Sequence, residues 1–171
     1  MAFKATEVSD IGERPWSRGE ASFLDSALQD SLVRASFKKC VDIVIGLEGG
    51  DKIVADSGGV TRWGISARAH PGVDIINLTR DEAVALYRDE YWDECLCDGL
   101  PWPMDLVVFD AAVNQGVTYA KNLTSSSVDY VEALLLRVER YSEIAERDET
   151  KRQYLRGWVN RVVKLFRMIQ A

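Results

Sequence analysis

The stretch LEGGDKIVADSGGVTRWGIS, residues 47–66, is where the periodicity of the chain changes, and the fold is best read outward from it. Upstream, apolar residues recur at helical spacing as far as Gly46. Within the stretch, glycine pairs and two short β-favouring runs, residues 52–55 and 60–65, replace that pattern. We therefore expect a helix that ends near Gly46 and is followed by a small β-hairpin lobe.

Helical periodicity returns after the lobe. Thr79 and Glu82 form a capping-box pattern that opens a helix through Tyr91, with its end expected near residues 97–99. Further helices are predicted over residues 104–114, 128–144 and 153–169. The first of these is too apolar to be exposed on all sides, so we expect it to be the buried central helix.

The size of the chain fits one domain with a terminal extension. It has 171 residues, of which 47% are hydrophobic, enough to bury one core. Residues 1–20 show neither the helical nor the strand periodicity of apolar residues. They are interpreted as an irregular arm, which Trp16 anchors to the domain. Residues 21–46 predict one long helix or two in succession. We expect an N-terminal arm and leading helix over residues 1–35 and one mainly α domain over residues 36–171.

The charge of the chain argues against nucleic acid as a partner. It carries 21 basic and 27 acidic residues, a formal charge of -6, whereas binding to phosphates needs clustered cations. The last predicted helix is locally basic, with Lys151, Arg152, Arg156, Arg161, Lys164 and Arg167. A solvated face is the favoured interpretation, and a face turned towards an anionic polymer is the alternative.

The cysteines and the lack of apolar segments bear on where the chain works. Three cysteines, Cys40, Cys95 and Cys97, favour reduced, cytosolic synthesis, and we expect no metal and no cofactor. His70, beside Pro71 and Gly72, is expected at the surface. No stretch resembles a signal peptide or is long enough to insert into a membrane. We therefore expect a substrate outside the cytoplasm to be reached through a membrane-permeabilising, holin-type partner or by delivery in a particle.

The 47–66 stretch also carries the candidate chemistry. Glu48 follows an apolar helix, where the negative end of the helix dipole and apolar neighbours both predict that it holds its proton, as a general acid for glycoside hydrolysis must. Asp56 lies in a polar loop that favours an ionised second carboxylate, and the Thr61 hydroxyl is suited to position a water. Residues of these types also populate ordinary turns and caps, so the spacing alone is a weak signal.

The complete string makes the signal specific. Glu48-Gly49-Gly50 followed by Asp56-Ser57-Gly58-Gly59-Val60-Thr61-Arg62-Trp63-Gly64-Ile65-Ser66 closely resembles the opening motif of the glycoside hydrolase 108 family of N-acetylmuramidases. Three later blocks, residues 78–92, 108–116 and 157–162, look like that family's downstream blocks in the same order. The resemblance covers about residues 36–163.

This resemblance implies a fold, a substrate and an acid. The fold is the mainly helical lysozyme-like one, with a small β-hairpin lobe carrying the active site. Glu48 is the catalytic glutamate, and the substrate is the β-1,4 bond between N-acetylmuramic acid and N-acetylglucosamine of bacterial peptidoglycan. Many phage endolysins belong to this family, which implies synthesis in the host cytoplasm and action on the cell wall after release.

Other site assignments rest on similarity to phage-type lysozymes or on local pattern. The roles of Asp56 and Thr61 follow the Glu/Asp/Thr arrangement of those enzymes. Asp51 stands where the family usually has an aromatic residue, which makes it a competing second carboxylate. The stretch after Gly116 is also shorter than in the family.

Further polar and aromatic residues have two interpretations each. Trp63, Tyr91 and Trp92 either stack on sugar rings or pack in the core. Asp110 and Asn114, one helical turn apart, either line the cleft under the sugar or tie the β lobe to the helix. Trp158 and Arg161 are expected to be packing and surface anchors rather than catalytic groups.

Three alternative functions stay open on sequence alone. A lytic transglycosylase cuts the same bond with one glutamate and no water. A virion-associated structural or adaptor protein would use residues 1–35 to tether a lysozyme-like domain inside a phage particle. A wall-binding module would need no catalytic residue at all.

Overall fold

The computed structural model describes residues 18–56 and 59–171, so the arm expected at the N-terminus and Trp16 lie outside the described residues. The chain divides into two compact units, Met1–Val33 and Arg34–Ala171, and the site lies in the second. The first helix, α1 (Arg18–Leu47), begins in the first unit and ends in the second. It is one helix rather than two, and it starts three residues before the predicted position.

Five more α-helices follow among the described residues. They are α2 (Arg80–Tyr87), α3 (Met104–Gln115), α4 (Val117–Ser126), α5 (Tyr130–Arg147) and α6 (Arg152–Gln170). The predictions for α3, α5 and α6 are confirmed to within a few residues. Sequence analysis did not predict α4, because its second half is rich in serine and threonine and its buried apolar residues are few, namely Ala120 and Leu123.

The capping box at the start of α2 is confirmed, but the predicted length of the helix is wrong. The Thr79 backbone N–H donates to Glu82 Oε2 at 2.8 Å, and the Glu82 N–H donates to Thr79 Oγ1 at 3.3 Å. Regular α-helix ends at Tyr87 and gives way to a π-helical turn, Arg88–Trp92, and later a 3-10 turn, Cys97–Gly99. The wider π turn accompanies the complete burial of Trp92, whose ring meets Phe109 edge-on at 5.3 Å.

The β lobe is a three-stranded antiparallel sheet instead of a simple hairpin. Its strands are β1 (Val54–Asp56), β2 (Gly59–Arg62) and β3 (Ile65–Ser66), in that order across the sheet. The run predicted over residues 60–65 is split, because Trp63 and Gly64 both adopt positive φ and turn the chain between β2 and β3.

The core is built around α3, which confirms it as the buried central helix. Every residue from Asp105 to Ala112 is buried, so this helix is enclosed on all sides over two turns. The mainly α, lysozyme-like fold class expected from the sequence is confirmed. Among the described helices, none combines the length and apolarity that a membrane span requires.

Two smaller expectations concern His70 and the cysteines. The expectation that His70 lies at the surface is wrong: it is 9% exposed, and its Nε2 lies 2.8 Å from Glu90 Oε2. A polar partner on the neighbouring helical segment allows a loop histidine to be buried. The cysteines Cys40, Cys95 and Cys97 are all free thiols and all buried.

Candidate active site

Glu48 stands directly after the last residue of α1. Its N–H donates to Val44 O at 3.0 Å, and the N–H of Gly50 donates to Ile45 O at 3.0 Å, which closes the helix end. Gly49 and Gly50 have φ values of 100° and 69°, in the region that side chains disfavour. The two glycines therefore let the chain leave the helix sharply and leave Glu48 on the turn.

The turn between β2 and β3 packs against the stem of this glutamate. A Cβ added to Gly64 would lie 2.9 Å from both Cβ and Cγ of Glu48, and it would also collide with the Tyr87 hydroxyl. Tyr87 in turn donates its hydroxyl hydrogen to Trp63 O at 3.0 Å. The sheet is thus fitted closely to Glu48, and only a residue without a side chain fits at position 64.

The surroundings of the Glu48 carboxylate differ from the sequence expectation. Its Oε1 lies 2.7 Å from Nη1 of Arg161, and the two side chains are 25% and 11% exposed. The expectation of purely apolar neighbours that resist negative charge is therefore wrong, because α6 brings a guanidinium to the end of α1. Glu48 is nevertheless the more open partner and keeps a quarter of its side chain accessible.

Arg161 is itself held by a buried acid on the central helix. Its Nη2 donates to Asp110 Oδ1 at 2.7 Å and its Nε to the same oxygen at 3.1 Å. Asp110 also accepts from Nη2 of Arg137, on α5, at 2.6 Å, and both side chains of that pair are completely buried. Three helices therefore meet in one layer, which we call the ion-pair layer: Asp110, Arg137 and Arg161.

The charges in this layer stabilise one another. Burial works to raise the pKa of the Asp110 carboxyl, but the two neighbouring guanidinium groups outweigh burial and hold that pKa below its usual range. Burial likewise works to lower the pKa of Arg161, and Asp110 and Glu48 together raise it. Arg161 therefore stays charged, and Asp110 stays a carboxylate.

A second, uncharged layer lies one helical turn away. Asn114 follows Asp110 on α3, Tyr141 follows Arg137 on α5, and Trp158 precedes Arg161 on α6, each by three or four positions. The Tyr141 hydroxyl donates to Asn114 Oδ1, and the Tyr141 ring stacks on Trp158 at 5.0 Å. We call Asn114, Tyr141 and Trp158 the aromatic layer.

The two layers show where Asp110 and Asn114 lie in the helical core. Both residues face α5 and α6, and they do so in the same direction, as their spacing predicts. Asp110 is completely buried, so it is not placed to contact a substrate; it orients Arg161 instead. Asn114 is exposed and lines a pocket. Neither ties the β lobe to the helix by any of the hydrogen bonds found in the described residues.

The aromatic candidates, Tyr91 and Trp63, are both partly exposed. Burial raises the pKa of Tyr91, and the charges of Glu90 and Glu48 raise it further, which places the phenol within electrostatic reach of the candidate acid. Trp63 is partly exposed, and its Nε1–H donates to Leu78 O at 3.1 Å. Its indole is therefore oriented by a backbone carbonyl while part of the ring stays accessible.

The remaining candidates belong to the β lobe and its approach. Thr61 is on β2, paired with Val54 and Ser66, and is partly exposed. Asp56 is the last residue of β1, paired with Gly59, and its side chain lies outside the described part of the structure. Asp51 is exposed in the turn after α1. The described hydrogen bonds and ion pairs join Glu48 to Arg161 but to neither Thr61 nor Asp51.

Sequence analysis missed Arg137 and Arg161 as functional residues, although a signal was present. Arg161 follows Trp158 by three positions and precedes Leu165 by four, which puts it on the apolar face of its helix. Arg137 stands in the same relation to Leu134 and Tyr141. An arginine on the apolar face of a helix needs a buried acid as its partner, and the most apolar helix, α3, carries two acids, Asp105 and Asp110.

Comparison with known proteins divides the chain into two matched segments. Residues 41–116 match the family described as Glycosyl hydrolase 108, and residues 118–163 match the family described as Predicted Peptidoglycan domain. Neither the curated proteins nor the solved structures give a match. The two family matches confirm the recognition made from the motifs, and together they support a glycosidase that hydrolyses peptidoglycan.

Proposed function

We propose that the chain is an N-acetylmuramidase with Glu48 as its general acid, because residues 41–116 match the family described as Glycosyl hydrolase 108. In this proposal it cleaves the β-1,4 bond between N-acetylmuramic acid and N-acetylglucosamine. The observation that supports it best is the position of Glu48, a partly exposed carboxylate held between the Gly64 turn and Arg161. General acid catalysis needs such a carboxyl within reach of the leaving oxygen.

The ion pair with Arg161 is compatible with this role because the guanidinium has two separate edges. Its Nε and Nη2 remain on Asp110, at 3.1 and 2.7 Å, when Nη1 loses its contact with Glu48. Protonation of Glu48 therefore leaves no unpaired charge in the core. In the proposed cycle a Glu48 that carries a proton from the solvent gives it to the leaving oxygen as the glycosidic bond breaks, and returns to Arg161 as a carboxylate. A water supplies the new bond to C1 of muramic acid, and its proton returns to the solvent. Arg161 acts here as a positioning residue.

We propose Asp56 as the second carboxylate and Thr61 as the group that positions the water. Both belong to the strands β1 and β2, which are hydrogen-bonded to each other and fitted to Glu48 through the Gly64 turn. Asp51 is the competing carboxylate, on the exposed turn after α1. Trp63 and Tyr91, each partly exposed, are proposed to line the path of the glycan, Trp63 because it is next to the Gly64 turn that packs on Glu48 and Tyr91 because the charge of Glu48 raises its pKa.

Replacement of the acid tests the proposal directly. We expect Glu48→Gln to reduce the rate at which a suspension of purified peptidoglycan clears by about 10²- to 10⁴-fold, the usual contribution of a general acid. Glu146→Gln is the matched control, because Glu146 is an exposed residue of α5. The thermal unfolding temperature of both variants should stay close to that of the wild type. A Glu48→Gln enzyme with more than about a tenth of wild-type activity would contradict the proposal.

The products identify the bond and the chemistry. Borohydride reduction followed by mass spectrometry should give reduced muramic acid at the new chain ends. Reduced glucosamine ends would contradict the proposed bond, and 1,6-anhydro ends would show a lytic transglycosylase. The same assay ranks the second carboxylates, and we expect Asp56→Asn to lose far more activity than Asp51→Asn.

The route to the substrate remains a prediction. Synthesis in the host cytoplasm and release by a holin-type partner, or delivery in a phage particle, would both bring the enzyme to the wall.

A further inference from the structure

A pocket beside the aromatic layer is not used by the chemistry proposed for Glu48. It has a volume of about 470 Å³, within the range of small-ligand pockets. Residues of four segments line it: Asn114, Gln115, Arg140, Tyr141, Ile144, Lys151, Tyr154 and Trp158. Six of the eight fall within residues 118–163, the segment that matches the Predicted Peptidoglycan domain.

The charge of the pocket is opposite to that of the chain. Arg140 and Lys151 are its ionised lining residues, and no aspartate or glutamate stands among the described residues that line it. The whole chain carries a formal charge of -6, so two cations without an acid are a local reversal. Such a pocket attracts an anion.

Two buried donors in the pocket wall lack an acceptor. Arg140 Nε and Gln115 Nε2 are both buried and have no hydrogen-bond partner among the described residues. The amide of Gln115 is oriented, because its Oε1 already accepts from Arg137 Nε at 2.8 Å and Nε2 is therefore left as the donor. A buried donor without an acceptor destabilises the structure, so an acceptor that reaches either atom is stabilised by it.

The pocket also has an apolar side. Tyr154 is 49% exposed, and its ring lies 6.0 Å from that of Trp158. Lys151 Nζ lies 5.9 Å from the centre of the Tyr154 ring, so the cation and the aromatic surface face the same space. The ligand that fits both sides carries a carboxylate and small apolar groups together.

The pocket is connected to Glu48 through two helices. On α6, Trp158 precedes Arg161 by three positions, and Arg161 contacts Glu48. On α3, Asn114 follows Asp110 by four positions. The pocket therefore begins about one helical turn, roughly 5 Å, beyond the ion-pair layer. A substituent of a sugar bound near Glu48 reaches that far, since a tripeptide extends about 10 Å.

We propose that this pocket binds the carboxylate end of the peptide stem that muramic acid carries in peptidoglycan. Arg140 and Lys151 receive the carboxylate, the free donors of Arg140 and Gln115 complete its hydrogen bonds, and Tyr154 packs against the side chains of the stem. This inference rests on the proposed function, because it takes peptidoglycan as the substrate. It adds that recognition depends on the peptide as well as on the glycan.

Binding of a reaction product tests the inference apart from catalysis. The probe is the soluble disaccharide tetrapeptide, titrated calorimetrically into the chain. Its one glycosidic bond joins C1 of N-acetylglucosamine to O4 of N-acetylmuramic acid, so it lacks the bond from C1 of N-acetylmuramic acid that the proposed enzyme cleaves. We expect Arg140→Gln combined with Lys151→Gln to weaken its Kd on the order of tenfold or more. The control combines Arg156→Gln and Lys164→Gln on exposed positions of α6, which removes the same charge, and should change Kd less than about twofold.

A second measurement needs no variant. The wild type should bind the tetrapeptide form on the order of tenfold more tightly than the same compound with its carboxylates converted to methylamides. Equal affinity for the two compounds, or equal losses of affinity in the two double variants, would overturn the inference. Buried water would then be the acceptor for the unpaired donors of Arg140 and Gln115. Because neither titration measures cleavage, failure of Glu48 as the acid would appear separately, as an active Glu48→Gln enzyme.

Discussion

The turn that carries Glu48 and the ion-pair layer that holds it in place are built in opposite ways. Glu48, Gly64 and the sheet between them come from twenty consecutive residues of the chain, 47–66. The ion-pair layer joins three helices, and its ends, Asp110 and Arg161, are 51 positions apart. One region is a local motif and the other is a product of tertiary packing. The reactive side chain is thus specified locally, and its electrostatic environment is specified by the whole fold.

The two regions also differ in how much water they meet. Glu48 and Arg161 keep 25% and 11% of their side chains exposed, whereas Asp110 and Arg137 keep none. Breaking a buried ion pair leaves a charge with no water to replace its partner, while a partly exposed charge can be rehydrated. We therefore expect the ion-pair layer to control stability and the Glu48 turn to control activity.

The largest expected effect comes from Asp110→Asn, which leaves Arg137 and Arg161 buried without their acid. We expect the free energy of unfolding to fall by about 3–5 kcal/mol, as measured by urea denaturation. Complete failure to fold would be the extreme form of the same result.

Asp105→Asn is the matched control, since Asp105 is also buried and lies on the same helix, five positions earlier. Burial raises the pKa of Asp105, so its surroundings do not favour its charge. Asp105→Asn should therefore lower the free energy of unfolding far less than Asp110→Asn does. Equal losses in the two variants would show that burial of an aspartate, and not its ion pairs, decides stability.

Most of the fold was predictable because its signals are local. The capping box of Thr79 and Glu82, the apolar run of α3 and the glycines after Glu48 each act within a few residues. The π turn at Arg88–Trp92 was not predictable in this way, because it accompanies the burial of Trp92 against Phe109, a contact between distant segments. The same holds for α4, where tertiary packing of Ala120 and Leu123 outweighs weak local propensity.

The candidate site likewise has a part that local sequence predicts and a part that depends on contacts between distant segments. Glu48 and its β lobe follow from one motif, and the family match over residues 41–116 supports that reading. The guanidinium beside Glu48 was not expected, because five basic residues on α6 look alike in sequence and only one, Arg161, meets Asp110. Periodicity places a residue on a face of a helix, but it does not say which acid on another helix that face will meet.

An intermediate effect is expected from Gly64→Ala, which acts on the local region. The new methyl group would meet the stem of Glu48 and the Tyr87 hydroxyl, in a backbone conformation with φ of 80°. We expect unfolding free energy to fall by about 2 kcal/mol and peptidoglycan cleavage to fall further than this instability explains.

Gly72→Ala is the control that separates backbone strain at positive φ from collision of the added Cβ with its neighbours. Gly72 has φ of 101° but nothing within 4 Å of the added Cβ. Gly72→Ala should lower the free energy of unfolding by about 1 kcal/mol and leave the specific activity of the folded protein unchanged. If both alanine variants retain full activity, the fit of the β lobe to Glu48 has no role in catalysis.

The smallest effect is a pH dependence that has opposite signs at the two buried aspartates of α3. The folded pKa of Asp110 is lowered, so its stabilisation is complete above the unfolded pKa of about 4 and is lost as pH falls below that value. The folded pKa of Asp105 is raised, so its stabilisation is present below about pH 4 and is lost as pH rises through the folded value. Subtracting the unfolding free energy of each asparagine variant from that of the wild type isolates each group.

The difference in unfolding free energy between the wild type and Asp110→Asn should shrink as pH falls from about 4 to 3, at up to about 1.4 kcal/mol per pH unit. The Asp105 difference should shift in favour of the wild type at higher pH, as pH falls from the raised folded pKa of Asp105 to about 4, because only there does the folded wild type hold a proton that its unfolded chain lacks. Two differences that move together with pH would mean that the guanidinium groups of Arg137 and Arg161 do not distinguish the two aspartates. The charges of the ion-pair layer would then contribute no more to stability than other buried polar groups do. The contrast between a layer that controls stability and a Glu48 turn that controls activity would not hold.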